Sequence, residues 1–365
     1  MTKVLFVTHG MDLGGIEKYL LRLLLFSRNK ITAQVLCKGP DKKDWYLEDD
    51  LRNAASSLEK LRIGYLDPIG CIKLYKKLRR EEIDAICDFT GDFSGGLMLA
   101  AWLARVPVRV SFYRESEHQF KPNFFKSLYV KFLRQLVLYF STSVLSNSKA
   151  ALDNFFGGRD LNDAKVIDNG VAPFDLIPKN DARKRLGVLK DVMVVGHVGR
   201  FTSAKNHQLL FKLAEKSFSE GQLIHFVFCG AGVDQELSLN QLEQANITAF
   251  GIQKDVALFL SALDVFVFPS LNEGQPNALI EAIVSGVPVL ASNIPSIKEV
   301  LPACYHNLLC DPNDVDGFYS ALVSRTLIQG DQLVEHMRQK FNETARFDEV
   351  LEVLGHTSQS GISKE

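Results

Sequence analysis

Two carboxylates spaced eight residues apart, Glu273 and Glu281, are the side chains with the clearest chemistry in the sequence. A carboxylate accepts protons from neighbouring hydroxyls, so both suit the diols of a sugar or of a ribose. A helix whose early acids only complement its dipole would account for Glu281, but not for the whole run that begins at Glu273. The pair therefore predicts a site for a hydroxyl-rich ligand.

The backbone of the same run is suited to an anion. From Glu273 the chain continues as Gly274-Gln275-Pro276-Asn277-Ala278-Leu279. Glycine lets the backbone approach a ligand closely, and Pro276 fits the first turn of a helix. We expect the amides of Asn277, Ala278 and Leu279 to be free donors, because first-turn amides have no carbonyl partner within their helix.

Two cations in a second loop add positive charge. An apolar segment ends at Val198-Gly199, and Arg200 and Lys205 follow before a predicted helix. Arginine grips phosphate oxygens with a fork of donors and lysine adds a point charge, so together they could neutralise a diphosphate. The alternative, a solvated arginine at a strand end and a solvated lysine at a helix start, stays open on these residues alone.

A third loop, near the N-terminus, reads Gly10-Met11-Asp12-Leu13-Gly14-Gly15. It departs from the G-x-G-x-x-G fingerprint of a dinucleotide site, which disfavours a nicotinamide-dependent oxidoreductase. Either the loop approaches a ligand, or it is a turn that needs small residues for helix packing.

Strands and helices must position these loops. Short apolar segments alternate with helical patterns, which is typical of parallel βαβ units, and ligands bind beyond the carboxyl ends of such strands. Strands are predicted at 3–9, 33–37, 85–89, 108–112, 143–146, 165–167, 192–198, 225–229, 247–250, 265–269, 287–291 and 307–310. Helices are predicted at 16–27, 206–220, 234–245, 256–263 and 277–285.

The length of 365 residues predicts two domains, because single hydrophobic cores stop growing near about 250 to 300 residues. A linker is expected at 169–181, where Gly170, Pro173 and Pro178 interrupt the alternation. We predict an α/β fold with two Rossmann-like, doubly wound domains that face each other across a cleft. The first covers 1–172, the second covers 173–346, and the tail 347–365 either returns to the first domain or does not.

The run from Glu273 to Glu281 resembles the E-x7-E motif of retaining glycosyltransferases of family 4, the group 1 transferases with the GT-B fold. Further segments match that family in order along most of the chain. They are Gly14-Gly15 with Glu17, Asp168-Asn169-Gly170-Val171, Val198-Gly199-Arg200 with Lys205-Asn206, Gly251 with Asp255-Val256, and Asp264-Val265-Phe266-Val267-Phe268-Pro269-Ser270. The collinear set is far more specific than any of its members.

The resemblance implies a role for each site residue. Arg200 and Lys205 would hold the diphosphate of a nucleotide-sugar donor, and Glu273 would contact the transferred sugar. Glu281 would bind the nucleotide ribose, and the backbone near Gly251 and Ile252 would bind the base. The remaining residues implied to bind the donor are Gly14, Gly15, Gly274, Gln275, Pro276, Asn277, Ala278 and Leu279.

The family also implies transfer with retention of the anomeric configuration, with neither a metal nor another cofactor. Fixed cations and a helix start would take up the charge of the departing nucleoside diphosphate, as a divalent ion does elsewhere. Asp314-Val315-Asp316 mimics the metal-binding D-x-D of a different transferase fold, but it stands at a predicted helix start, where acids cap.

One loop departs from the family pattern. Many members carry a histidine after the strand predicted here at 108–112, whereas this chain has His118 late in the loop, with Arg114 and Glu115 nearer the expected place. His118 is a candidate catalytic residue, and a solvated loop histidine is the alternative. His197 lies in an apolar segment and is expected in the core.

A basic and aromatic stretch stands out in the first half. From His118 to Leu152 there is no acidic residue, while lysines and Arg134 interleave with phenylalanines and tyrosines. A second basic cluster contains Lys73, Lys76, Lys77, Arg79 and Arg80. Such a surface suits an anionic membrane, and a core-packing helix with solvated lysines is the alternative.

Composition limits the class of protein. The formal net charge of -1 and the lack of a recognised module argue against nucleic-acid binding. No apolar stretch reaches the length of a membrane span, and the apolar start is too short for a signal peptide. The six cysteines show no C-x-x-C pair and are expected to be buried thiols of a reducing compartment. We expect a cytoplasmic protein that contacts the inner face of the membrane.

The leading hypothesis is a transferase that moves a sugar from a UDP- or GDP-sugar to a glycan or lipid-linked acceptor in cell-surface polysaccharide synthesis. A sugar-nucleotide epimerase of the same fold would bind a similar donor. A non-catalytic glycan-binding partner is a third hypothesis, which the presence of Arg200, Lys205, Glu273 and Glu281 disfavours.

Overall fold

The computed structural model divides the chain into two compact units. It describes residues 1–12, 14–40, 45–64, 67–114, 124–157, 164–236 and 246–356. The first unit is Met1–Gly170 together with the segment from Glu343 onwards, and the second is Val171–Asn342. The chain therefore leaves the first unit at Gly170 and rejoins it at Glu343, a few residues earlier than the boundaries expected at 172 and 346.

The first unit is built on a parallel sheet. Its strands are β1 (Lys3–Thr8), β2 (Thr32–Cys37), β3 (Ser57–Lys60), β4 (Ala85–Asp88), β5 (Val108–Tyr113), β6 (Ser143–Ser146) and β7 (Ala164–Val166). Within the described residues these seven strands are ordered β3-β2-β1-β4-β5-β6-β7. β3 is not among the predicted strands, because only Leu58 of its four residues is buried and pairing with β2 holds it at the edge.

Helices connect these strands. They are α1 (Gly15–Ser27), α2 (Glu48–Ala54), α3 (Pro68–Glu81), α4 (Ser94–Leu103), α5 (Phe124–Phe140) and α6 (Lys149–Phe156). α1 buries Tyr19, Leu20, Leu23 and Leu24, the three-to-four spacing of an amphipathic helix. α3 starts where Asp67 accepts a hydrogen bond from the Gly70 amide and Pro68 opens the first turn.

The second unit repeats this plan with a smaller sheet. Its strands are β8 (Met193–Val198), β9 (Ile224–Cys229), β10 (Ile247–Phe250), β11 (Val265–Phe268) and β12 (Val289–Ala291). In the part of the chain that is described, these five parallel strands are ordered β10-β9-β8-β11-β12. All residues of β9 and β11 are buried, as expected for strands covered by helices on both faces. The predicted α/β class with two parallel sheets is confirmed.

Helices flank this second sheet. They are α7 (Lys179–Leu186), α8 (His207–Ser219), α9 (Val233–Glu236), α10 (Val256–Ser261), α11 (Asn277–Val284), α12 (Pro295–Val300), α13 (Val315–Val323) and α14 (Asp331–Lys340). The strand predicted at 307–310 is wrong. Ala303–Leu308 forms a 3-10 helix, and Cys310 makes a single bridge to Ser292. Pro312 has no amide that could extend the pairing.

A last helix, α15 (Glu343–Val353), belongs to the first unit. Its Phe347 packs edge-on against Tyr19 of α1, with ring centres 5.3 Å apart. Lys30 binds Asp348 at 2.7 Å, and Arg22 lies 3.1 Å from Glu343. Gly170 must be small, because a Cβ there would lie 2.6 Å from the Cα of Glu343.

All six cysteines are free thiols, but the expectation that they are buried holds for only half of them. Cys37, Cys87 and Cys229 lie in strands and are buried. Cys71 and Cys310 are partly buried, and Cys304 is exposed on the 3-10 helix. Among the helices that the structure describes, none has the length and apolar character needed to cross a bilayer.

Asp264, just before β11, fixes the start of that strand. It accepts hydrogen bonds from Lys179 Nζ at 2.6 Å, from Arg183 Nη2 at 2.6 Å and from the Val194 amide at 2.7 Å. Burial favours its neutral acid, but these three donors outweigh burial and hold the pKa of Asp264 below its ordinary value. The network ties α7 and β8 to β11.

Replacing Arg183 with methionine should destabilise the second unit by about 3 kcal/mol, because it leaves Asp264 partly buried with a partner missing. Urea unfolding followed by circular dichroism measures the loss. Arg185→Met, an exposed position of the same helix, is the control and should cost less than about 0.5 kcal/mol. Equal effects of the two variants would contradict the stabilising role of the network.

Candidate functional site

The order of the second sheet reverses between β8 and β11, which lie side by side at its centre. Ligands of open parallel sheets bind at such a reversal, beyond the carboxyl ends of the strands. The loop that follows β8 carries Arg200 and Lys205. The loop that follows β11 carries Glu273 and leads into α11. The two predicted ligand-binding loops of this unit therefore start from neighbouring strands.

An ion pair joins the two loops. Lys205 Nζ lies 2.6 Å from Glu273 Oε1, and the two side chains are only 23% and 11% exposed. The lysine stem passes over Gly199, where a Cβ would come within 3.2 Å of Lys205 Cδ, and its ammonium lies 5.0 Å from the centre of the Phe268 ring. A larger residue at 199 would first collide with His197 Nε2, 2.7 Å from its Cβ, and would also press on the stem, so glycine leaves room for both side chains.

Backbone contacts hold the same loops together. The Leu271 amide donates to the Ala204 carbonyl at 2.8 Å, and Asn206 Nδ2 donates to the carbonyls of Pro269 and Pro312 at 3.1 and 2.8 Å. Asn206 has a positive φ of 54°, which asparagine tolerates better than most residues. The sequence analysis matched Asn206 to a family motif but assigned it no role. Its amide fastens the Lys205 loop to the β11 loop.

The start of α11 differs in detail from the prediction. Pro276 precedes the first helical residue rather than opening the first turn. The Asn277 amide donates to the Gln275 carbonyl at 2.9 Å, so the expectation that it is a free donor is wrong. Its bond closes a turn that brings the chain into the helix. Ala278 and Leu279 lie in the first turn, and no side chain caps this helix.

The remaining predicted residues of the second unit lie on the same edge. Glu281 is partly buried on α11, one turn beyond its start. The Gly251 carbonyl accepts a hydrogen bond from the Gly230 amide at 3.1 Å, which joins the loops after β10 and β9, and Ile252 is exposed. A Cβ on Gly251 would lie 3.0 Å from Asp234 Oδ2. The sequence contained no signal for this neighbouring carboxylate.

Arg200 is exposed and follows Gly199 directly. The next amide, that of Phe201, donates to the Ala231 carbonyl at 2.9 Å and so fixes the backbone beside Arg200 to the loop after β9. The structure thus joins Lys205 to Glu273 through side chains, and it fixes Arg200 through its backbone while leaving the guanidinium at the surface.

Two neutral histidines lie behind Lys205. His197 is fully buried, as expected, and its Nδ1 donates to the Val267 carbonyl of β11 at 2.9 Å. The ring of His207 packs edge-on against it, 5.1 Å away. Burial lowers the pKa of His197 well below its usual value, and burial together with nearby Lys205 lowers the pKa of His207 to about 4. Both rings are therefore uncharged near neutral pH, so neither adds a second positive charge beside Lys205.

The first unit holds the other predicted residues. Gly14 precedes α1, which begins at Gly15, and a Cβ on Gly14 would lie 2.1 Å from Glu17 Oε2. That oxygen is the end of a flexible side chain, so this contact alone does not require glycine at 14. Arg114 is buried, with its guanidinium 3.4 Å from the centre of the Tyr19 ring and a hydrogen bond to Asn169. His118 and Glu115 lie outside the described residues.

Acidic groups of the D-x-D mimic have structural partners. Asp314 accepts a hydrogen bond from the Gly317 amide at 2.9 Å and caps α13, as expected, while Asp316 pairs with Lys216 at 2.7 Å. In the residues that are described, no group of three or more histidines, cysteines or acids is arranged to hold a metal ion.

Comparison with known proteins shows which proteins the chain is similar to. Residues 193–326 match the protein family described as Glycosyl transferases group 1. The Escherichia coli UDP-Gal:alpha-D-GlcNAc-diphosphoundecaprenol alpha-1,3-galactosyltransferase is 28% identical over 338 residues, which cover 86% of this chain and 85% of that protein. The Staphylococcus aureus capsular polysaccharide biosynthesis glycosyltransferase CapH is 27% identical over 320 residues, covering 82% and 84%.

A solved structure with the same fold is HepE from Anabaena in complex with UDP and glucose. It matches with a TM-score of 0.81 at 19% identity and covers 98% of this chain and 100% of that one. At this identity the likeness shows the fold alone, which is GT-B. The second unit therefore contains a segment that matches the group 1 glycosyltransferases, and most of the chain is similar to glycosyltransferases of polysaccharide synthesis.

Proposed function

We propose that the chain transfers a sugar from a UDP- or GDP-sugar to a glycan or lipid-linked acceptor during cell-surface polysaccharide synthesis, with retention of the anomeric configuration. The observation that carries the donor assignment is the 2.6 Å ion pair of Lys205 and Glu273 at the reversal of the second sheet. The acceptor class is supported by relatives whose names specify diphospho-undecaprenol-linked sugars and capsular polysaccharide.

Departure of the nucleotide creates negative charge on its diphosphate. Lys205 and the exposed Arg200 supply the positive charge that this step needs, and the uncapped start of α11 adds the partial positive charge of its amides. These groups are held before the substrate binds, so little reorganisation accompanies bond cleavage. No resident metal or other cofactor is part of the proposal.

Glu273 has two tasks in this scheme. Its carboxylate holds the Lys205 ammonium, which has three N–H donors and can therefore bind a phosphate oxygen and Glu273 together. It also accepts hydroxyl protons of the donor sugar. Glu281, on the next turn of α11, binds the ribose diol, and the backbone at Gly251 and Ile252 contacts the base. By the family resemblance, Gly14 and Gly15 of the first unit are further donor-binding candidates, and His118 is a candidate catalytic residue.

We also propose that the first unit binds the acceptor and contacts an anionic membrane surface at the cytoplasmic face. Helix α4 packs between α3 and α5. Exposed apolar side chains of these helices are Ile69, Ile72, Tyr75, Trp102, Leu103, Leu128, Phe132 and Tyr139. Exposed cations beside them are Lys73, Lys76, Arg79, Arg105 and Lys131. We call this set the α3–α5 patch.

The pattern of the α3–α5 patch fits a lipid surface. On α5, Leu128, Phe132 and Tyr139 recur at helical spacing and are exposed, although the opposite side of the helix buries Leu133 and Val137. In the sequence of α3, α4 and α5, Glu81 is the single acid, and Lys77 and Arg80 bind it. Aromatic and aliphatic groups among lysines and arginines are typical of surfaces that rest on anionic headgroups.

The donor assignment is tested by thermal-shift screening of UDP, GDP, ADP and dTDP sugars. We expect stabilisation by a UDP- or GDP-sugar, followed by transfer whose product keeps the donor's anomeric configuration in proton NMR spectra. An inverted product would overturn retention. Release of an epimerised nucleotide sugar instead of a glycoside would overturn the transferase assignment.

Replacing Lys205 or Glu273 with alanine should each slow turnover at least about 100-fold, the usual scale for an electrostatic contact made in the transition state. Initial rates of nucleotide release measure the effect. Lys212→Ala, an exposed lysine of α8, is the matched control and should keep the normal rate. Near-normal rates for either site variant would contradict its proposed role.

The membrane proposal is tested by sedimentation with phosphatidylcholine vesicles, with and without phosphatidylglycerol. The double variant Leu128→Glu/Phe132→Glu should bind the anionic vesicles at least about tenfold more weakly, because it removes two apolar contacts and adds two negative charges. Phe218→Glu/Leu223→Glu, at exposed apolar positions of the second unit, is the control. The membrane proposal would be refuted if binding did not depend on phosphatidylglycerol, or if both double variants lost vesicle binding equally.

A further inference from the structure

Two buried cations of the described residues have acidic partners. Lys77, on α3, binds Glu59 and Glu81 at 2.7 and 2.8 Å. Arg183, on α7, binds Asp264 at 2.6 Å. This is the expected arrangement, because a buried charge without a partner is costly.

Lys38 is different. It follows β2 at the carboxyl edge of the first sheet and is only 5% exposed. Within the described residues, its ammonium makes no ion pair and no hydrogen bond. The centre of the Phe93 ring lies 5.7 Å from the ammonium. Burial lowers the pKa of Lys38, and the charge of Asp88 acts in the opposite direction.

Asp88, the last residue of β4, is the nearby opposite charge. It is fully buried and accepts hydrogen bonds from the Thr90 amide at 3.1 Å and from Thr90 Oγ1 at 2.9 Å. Burial raises the pKa of Asp88, and Lys38 opposes this rise. The two groups thus influence each other through space, yet among the described contacts no ion pair joins them.

The fold brings these groups to one place. β1 lies between β2 and β4, and the order of the first sheet reverses between β1 and β4. Lys38 comes two residues after Leu36, and Asp88 two residues after Ile86. Since side chains alternate along a strand, Lys38 and Asp88 share the face on which Leu36 and Ile86 pack beneath α3 and α4. Lys205 and Glu273 occupy the corresponding reversal in the second sheet.

A hydroxyl group matches a cation and a carboxylate that are held apart. Its oxygen accepts a hydrogen bond from the ammonium, and its proton is donated to the carboxylate. A phosphate group matches less well, because it would bring its own negative charge beside Asp88. Both groups retain hydrogen-bonding capacity, since the ammonium has three donors and each carboxylate oxygen has a second lone pair.

We propose that Lys38 and Asp88 together bind a hydroxyl of the acceptor's sugar. This proposal rests on the proposed transferase function and assigns to the first unit a polar subsite for an uncharged, hydroxyl-bearing ring. The pair positions the acceptor and takes no part in breaking the donor bond. If a permanently bound water bridges the two charges instead, the pair is structural and does not recognise the acceptor.

The test measures acceptor and donor separately in Lys38→Met, Asp88→Asn and the double variant. The probe acceptor is α-GlcNAc-diphosphate on a short alkyl chain. The reaction with the donor alone is measured as the release of UDP in the absence of an acceptor. We expect each single variant to raise the acceptor KM at least about tenfold, the scale of losing a hydrogen bond to a charged group. Donor KM and acceptor-free hydrolysis should stay unchanged. The acceptor KM of the double variant should rise by less than the product of the two single increases, because both groups bind the same hydroxyl.

Lys77→Met is the matched control, since it also removes a buried lysine of the first unit. It should lower thermal stability and leave the acceptor KM unchanged. If Lys38→Met does not fold, the acceptor KM and the donor KM are compared in Asp88→Asn and Lys38→Arg instead. An acceptor KM within about twofold of wild type in the folded variants would overturn the proposal and indicate a structural pair.

Different results would overturn the acceptor subsite and the transferase function. Wild-type protein that hydrolyses a nucleotide sugar but neither binds nor glycosylates the probe, in titration calorimetry and in transfer assays, overturns the acceptor subsite alone. Wild-type protein that neither binds nor hydrolyses any nucleotide sugar overturns the transferase function, and the acceptor subsite with it.

Discussion

The ion pair of Lys205 and Glu273 is the interaction on which the proposed donor site depends. An exposed pair of this kind would contribute about 0 to 1 kcal/mol and would not fix either side chain. Here both partners are mostly shielded, the lysine stem passes over Gly199, and Phe268 lies beneath the ammonium. The pair therefore has one geometry, and a positive charge is in place before any substrate arrives.

Parallel sheets explain why that pair exists at all. β8 and β11 are adjacent although many residues separate them in the chain, and both end at the same edge. The hydrogen bonds of Asn206, Leu271 and Asp264 hold the two strands and their loops in register. The neutral histidines 197 and 207 behind the site pack as rings and add no charge beside Lys205.

The first sheet has the same reversal with a different arrangement of charges. In the second unit the lysine and the acid touch, whereas Lys38 and Asp88 in the first unit do not. A touching pair suits a role in which a cation is presented to a diphosphate. A separated pair leaves room for a group that both donates and accepts a hydrogen bond. Under the two proposals, the same topology binds a diphosphate in the second unit and a hydroxyl group in the first.

Much of this could be predicted from the sequence, because fully buried parallel strands appear as short apolar runs and the loops after them carry the polar groups. The two α/β units, the strand before Glu273 and the core position of His197 all followed from that pattern. The predicted strand at 307–310 failed because an apolar run does not show whether a neighbour is available for pairing. β3 was missed for the opposite reason, since pairing with β2 holds a polar segment.

The sequence by itself determined which residue types stand after which strands, and therefore the class of fold and the candidate donor residues. Only the tertiary structure decided which of these groups touch. It joined Lys205 to Glu273 and gave the Asn277 amide a hydrogen bond to the Gln275 carbonyl. It also buried Arg114 against Tyr19 and left Lys38 without an ion pair to Asp88 among the described contacts. The reason is that alternation and spacing report local geometry, whereas pairing and desolvation of charges depend on residues brought together from distant parts of the chain.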